Sequence, residues 1–130
     1  MSKITEFFIS RYHSFGHAFA GWWHVIRTQR NAWIHATVSI SVVAISAWLG
    51  ISRMEWVAII AAIALVWIAE FLNTALEAVV DLASNHEHHE LAKIGKDVGA
   101  AAVLIAAGAS VLVGLIVLGP PLWQKISQLF

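Results

Sequence analysis

The hydrophobic positions of this chain follow two regimes. Over residues 4–31, Phe7, Phe8, Ile9, Tyr12, Phe15, Phe19, Trp22 and Trp23 are interleaved with polar and small residues. Such a segment is too charged to span a bilayer and suits an amphipathic helix lying in the membrane interface. Beyond it, three stretches are apolar enough to cross a bilayer core, which takes about 20 residues. They are 32–49, 55–82 and 91–118, the apolar part of the last beginning near Val98. The first is the most polar, with Thr37, Ser39, Ser41 and Ser46, whereas the second holds fourteen consecutive apolar residues at 56–69. Residues 50–54 read as a tight turn and 84–90 as a polar loop, and Gly119, Pro120 and Pro121 are expected to stop the last helix. The pattern predicts an all-α membrane protein forming a single domain over residues 1–130, with one interfacial helix and three transmembrane helices.

Composition supports this picture. The chain is 59% hydrophobic and 12% charged, well away from the soluble average. Eight basic residues balance eight acidic ones, so no net field recruits nucleic acid. The absence of cysteine excludes disulfides and thiolate metal sites. The opening residues, MSKITEFFISRYHSF, lack the unbroken apolar run of a cleavable signal peptide. Six of the eight basic residues, Lys3, Arg11, Arg27, Arg30, Lys93 and Lys96, fall on one side of a three-span arrangement. By the positive-inside rule the N-terminus and the 84–96 loop are expected in the cytoplasm and the C-terminus outside. Trp48, Trp56 and Trp123 would then form the outer aromatic belt, and Trp22, Trp23 and Trp33 the inner one.

Small residues line the third span. Gly95 and Gly99 stand in GxxxG spacing, followed by Ala100, Ala101, Ala102, Ala106, Ala107, Gly108 and Ala109. Such a surface lets helices approach closely in lipid. Three thin helices bury little surface alone, so a homo-oligomer is expected.

Polar residues inside the second span carry the chemistry. At about 100° per residue, Glu70, Asn73, Glu77 and Asp81 point to roughly 0°, −60°, −20° and +20°, so one stripe collects them. At about 1.5 Å rise per residue, Glu70 lies roughly 16 Å and Glu77 roughly 6 Å below Asp81. The stripe descends from the cytoplasmic surface into the membrane. A carboxylate near the bilayer centre costs on the order of 2.5 to 3.5 kcal/mol on insertion scales, so residues like Glu70 are usually functional and partnered. Lys93, Lys96 and Asp97 stand at i, i+3, i+4 where the third span begins. Carboxylates on one helix facing a lysine and an aspartate on the next have the parts of a magnesium–nucleotide site, in which hard oxygens hold Mg²⁺ and lysine neutralises phosphate. A purely structural alternative has Glu70 and Glu77 pairing with basic residues of neighbouring helices. No GxxxxGK[ST], GxGxxG or HRD-type signature occurs, so phosphoryl transfer here would need another scaffold.

The stretch AEFLNTALEAVVDL, followed by HHELAKIGKDVGAAAVLIAA, closely resembles the bacterial membrane diacylglycerol kinase family, which includes undecaprenol kinases. The similarity covers about residues 14–118, including RNAWIH before the first span, and combines E-x-x-N-[ST]-A-x-E-x-x-x-D with a downstream A-K-x-x-K-D element. It implies a homotrimer in the bacterial cytoplasmic membrane that uses ATP and Mg²⁺ to phosphorylate a lipid alcohol, diacylglycerol first and undecaprenol as the alternative. It also implies residue roles. Glu70 corresponds to the family's catalytic base, Asn73 to an asparagine near the reacting groups, and Glu77 to a metal-binding glutamate. Asp81, Glu87, His89, Lys96 and Asp97 correspond to positions near nucleotide or phosphate, a group to which Arg11 and His17 of the first helix are added. Ala102 joins Glu70 on the lipid side.

The sequence departs from the family at several points. Gln29 stands where many members place a second metal-binding glutamate; an amide oxygen can ligate Mg²⁺ but carries no charge. Trp33 replaces a frequent arginine, Arg11 is one position from the family's N-terminal arginine, and the SNHEHHE loop is one residue longer than in some relatives. That loop raises a competing reading, a transition-metal site built from His86, Glu87, His88, His89 and Glu90. His13, His17, His24 and His35 are expected at the membrane interface. A cation or proton transporter using the intramembrane acids, or an inactive membrane assembly subunit, are the non-kinase alternatives.

Overall fold

A computed structural model describes residues 3–85 and 87–128. It consists of four helices: α1, Lys3–Thr28; α2, Arg30–Leu49; α3, Arg53–Ala83; and α4, Glu90–Ser127. The last three are long and apolar enough to cross a membrane. At about 1.5 Å per residue their lengths are roughly 30, 46 and 57 Å. The chain is an integral membrane protein with three candidate spans.

Local chemistry sets the breaks between helices. Gln29 adopts an extended conformation (φ −98°, ψ 116°) and separates α1 from α2, so the first helix ends before residue 31. Its side chain makes no capping bond to α2; it is directed instead across the bundle, as described below. Gly50 closes α2 in the left-handed region (φ 67°), where its N–H reaches the carbonyls of Ser46 and Ala47. Two residues later Ser52 opens α3 with a reciprocal capping box: its hydroxyl accepts from the Glu55 N–H, and Glu55 Oε2 accepts from the Ser52 N–H at 2.6 Å. His89 caps α4, its Nδ1 accepting from the Leu91 N–H at 3.2 Å.

The expected stop at Gly119, Pro120 and Pro121 does not occur; α4 runs through the proline pair to Ser127. Each proline withdraws one N–H from the helical ladder, a loss that spanning helices tolerate when neighbours support the chain. Beyond the prolines, Lys125 meets a neighbouring helix. Its ammonium donates to the Trp48 carbonyl at 2.9 Å and lies 4.6 Å from the centre of the Trp48 ring, tying the tail of α4 to the end of α2.

Helices α3 and α4 form an antiparallel hairpin and share the largest interface. The glycine spacing explains the close approach. A Cβ on Gly95 would stand 3.4 Å from Val80 Cγ2, and one on Gly99 would collide with Asn73 Oδ1 and press on Leu76 Cδ2 at 3.2 Å. Lower in the hairpin, Ser110 donates to the Ala62 carbonyl of α3 at 2.9 Å. Helix α2 lies along α3, where Trp67 Nε1 donates to Ser39 Oγ at 3.3 Å. The end of α1 closes this side: Val25, Ile26 and Ala32 are buried against Trp67 and Phe71, and Trp22 stacks on Trp67 with ring centres 5.5 Å apart. The rest of α1 is exposed, Phe7, Phe8, Tyr12, Phe15 and Phe19 included. Many large apolar side chains of the spanning helices are exposed as well, which suits lipid or further helices as neighbours.

Candidate functional site

Helix α3 presents the polar stripe to α2, α4 and the Gln29 break. Glu77 sits at its centre and is half-buried. One carboxylate oxygen accepts from Asn73 Nδ2 at 2.9 Å, and the other accepts from Gln29 Nε2 at 3.2 Å. The extended conformation of Gln29 is therefore what delivers an amide from the α1–α2 junction to a carboxylate 48 positions away. Asn73 is buried with its Oδ1 turned toward the bare backbone of Gly99, and that oxygen has no hydrogen-bond partner.

These groups suit a magnesium ion. Mg²⁺ favours hard oxygens, generally one or two carboxylates completed by water and phosphate. Glu77 supplies the carboxylate; Asn73 presents its amide nitrogen to it, and its orphaned oxygen, turned toward Gly99, would join after the amide rotates. Rotation of the Gln29 amide would add a third oxygen. With Gln29 in place of an acid, Glu77 contributes the one formal negative charge of this trio.

Deeper along α3, Glu70 is 1% exposed. Its Oε2 has no hydrogen-bond partner, and the closest basic group is His35 of α2, with Nε2 at 3.7 Å and likewise unpartnered. The His35 side chain, expected simply at the membrane interface, is only 14% exposed and faces this carboxylate. The sequence contained a signal for this. His35, Ser39 and Ser46 are spaced by 4 and 7 on α2 and share one face, and Ser39 and Ser46 are both covered. A histidine on that face belongs with α3.

Toward the other end of the stripe, Asp81 pairs with Lys96 of α4. The pair borders an open cavity of about 480 Å³, lined also by Ser84, Glu87 and His89 and by Lys93 and Asp97. All five nucleotide-side positions inferred for the α3–α4 region thus meet at one cavity. The lysine pairs with Asp81, and among the described residues of one copy no Lys or Arg pairs with Glu70 or Glu77. Arg11 and His17 do not join this cavity. Arg11 lies over the Phe7 ring at 5.4 Å, and His17 borders a separate shallow recess with Tyr12, His13 and Phe19. Ala102 is exposed on α4, three residues after Gly99. Among the described residues no three His, Asp or Glu side chains converge as a transition-metal site; His86, part of that reading, lies outside the described residues.

Three spanning helices, a buried acid beneath an amide-held carboxylate, and a basic–acidic cavity above them define a class. Residues 16–118 match the prokaryotic diacylglycerol kinase family, and the chain belongs to it. Among its relatives, the diacylglycerol kinase of Synechocystis is 45% identical over 109 residues, covering 84% of this chain and 62% of that protein. The undecaprenol kinase of Bacillus subtilis is 39% identical over 121 residues, covering 93% of this chain and 94% of the relative. The diacylglycerol kinase of Escherichia coli K12 is 40% identical over 96 residues, covering 68% of this chain and 78% of the relative.

Proposed function

We propose that this protein is an ATP-dependent kinase of a membrane lipid alcohol, with diacylglycerol as the acceptor and phosphatidic acid as the product. The observation that carries the reading is the graded stripe on α3, from the Asp81/Lys96 cavity through Glu77 to the buried Glu70, whose Oε2 has no hydrogen-bond partner. Polar phosphate chemistry belongs at the first end and a lipid hydroxyl at the last.

In this mechanism the nucleotide occupies the cavity, where Lys96 and His89 offset phosphate charge. Glu77, with the oxygens of Asn73 and Gln29, would hold Mg²⁺, which when bound screens the phosphate oxygens. Glu70 accepts the proton of the lipid hydroxyl. The freed electron pair forms the new O–P bond to the γ-phosphorus while the bond to the β-phosphate oxygen breaks, releasing ADP. Arg11 and His17 lie on an exposed helix with an apolar aromatic surface. A homotrimer in which α1 of one copy covers the cavity of another would bring them to the nucleotide, and Ala102 would border the lipid. The basic-residue distribution supports a cytoplasmic N-terminus and α3–α4 loop in a bacterial cytoplasmic membrane.

A second acceptor, undecaprenol, is favoured by the near end-to-end match with the Bacillus relative. Purified protein incubated with labelled ATP, magnesium and each lipid alcohol separately decides the matter. Labelled phosphatidic acid supports the first reading and labelled undecaprenyl phosphate the second. Cation flux without any phospholipid would overturn both in favour of a transporter.

A further inference from the structure

Two buried polar atoms from different helices face each other without partners: Glu70 Oε2 on α3 and His35 Nε2 on α2, 3.7 Å apart. Orphaned polar atoms in an interior are costly, on the order of 1–3 kcal/mol each, and in lipid no bulk water relieves them. The gap is too wide for a direct hydrogen bond, and parting the two side chains by about 1 Å would let one oxygen sit about 2.8 Å from both. Resting on the kinase reading above, we propose that His35 contacts the substrate, forming with Glu70 a two-point seat for the lipid hydroxyl.

The four tetrahedral directions of the hydroxyl oxygen are then all assigned. One is its bond to carbon. The O–H points at Glu70 Oε2, and one lone pair accepts from His35 Nε2–H. The second lone pair remains for phosphorus. When the O–P bond forms, the proton passes to Glu70 and His35 keeps its own, so the imidazole orients the nucleophile without exchanging charge. The ring is held for this role from the side, where it meets Trp67 edge-on at 6.4 Å, and Trp67 is in turn fixed by Ser39 and by the Trp22 stack. His35 is the more exposed member of the pair, so the hydroxyl approaches from its side of the seam. A tautomer with hydrogen on Nε2 is required.

Three substitutions separate this role from simple ion pairing. Gln places an amide donor at about the position of Nε2 without a charge, Lys supplies a charge in a different shape, and Leu supplies neither. We expect His35→Leu to lower kcat/KM for the lipid on the order of 10²-fold, the scale of losing one donor at a reacting oxygen, with KM for Mg·ATP within about twofold. His35→Gln should recover most of that loss and His35→Lys little of it. Oligomer size and nucleotide affinity are measured on the same preparations. Recovery by Lys rather than Gln would overturn the proposal in favour of charge pairing, and so would a His35→Leu enzyme of normal lipid kcat/KM or a parallel rise in KM for Mg·ATP. Absence of phospholipid product from the unsubstituted protein would withdraw the kinase reading and this inference together, whereas failure confined to the variants withdraws His35 alone.

Discussion

At the scale of single residues, the Gln29/Glu77 contact is the most distinctive feature of the site. The Gln29 amide donates to one oxygen of Glu77. Replacing it by an acid removes that donor and sets two carboxylates against each other, a repulsion that a bound divalent ion would reverse. Gln29→Glu should therefore make thermal stability depend on magnesium, with melting lowered in chelator and restored on titration of the metal. Melting that is unmoved by magnesium in this variant would remove residue 29 from the metal site. Glu70 is argued differently, from depth. It lies about two helical turns below Glu77 and beside the proposed hydroxyl seat. Glu70→Gln keeps the shape but cannot take a proton, so turnover should fall by roughly 10²- to 10⁴-fold. Oligomer size and nucleotide affinity should be retained, as gel filtration in detergent and equilibrium binding would report.

At the scale of elements, the α3–α4 hairpin depends on where its glycines fall. Gly99 is the position that permits a buried asparagine, because any side chain there meets Asn73 Oδ1. Gly99→Ala should cost about 1–3 kcal/mol through overpacking and displace the amide that holds Glu77, whereas Gly108→Ala, with open space around it, should be close to neutral. Detergent unfolding of the two variants compares them directly. The same elements show what a sequence discloses. The three spans and the stripe were legible because each rests on a repeated signal, a long apolar run or a 3-4-4 spacing. The glycine contact was legible only as a tendency to pack closely; its partner depends on the register of two helices. The end of α4 was misread because proline rules weigh the local ladder, whereas the helix continues through Pro120 and Pro121 to Ser127. His35 was missed because one histidine in an apolar segment has no periodic neighbour of its own type, although its serine companions marked the buried face.

At the scale of the whole molecule, the arrangement implies a fixed sidedness. The cavity proposed for the nucleotide lies at the α3–α4 loop, and the Lys125 contact with Trp48 lies at the opposite end of the bundle. A reporter joined to the C-terminal end of α4 should behave as extracytoplasmic and one placed in the α3–α4 loop as cytoplasmic. Matching signals from the two sites would break the three-span arrangement.

Helix α2 is pinned at both ends, by Gln29 to Glu77 and by the Trp48 carbonyl to Lys125. Between those pins it measures about 30 Å, close to the thickness of a bilayer hydrocarbon core. The protein thus carries a ruler of fixed length beside helices that overshoot the membrane. A thicker or thinner bilayer has to be met by tilt or by strain at the pins, and one pin is part of the proposed metal site. Turnover in phosphatidylcholine vesicles of graded acyl-chain length should peak where the hydrocarbon core is near 30 Å, and Lys125→Ala, by releasing the far pin, should flatten that peak. Membrane thickness would then act on catalysis through one glutamine.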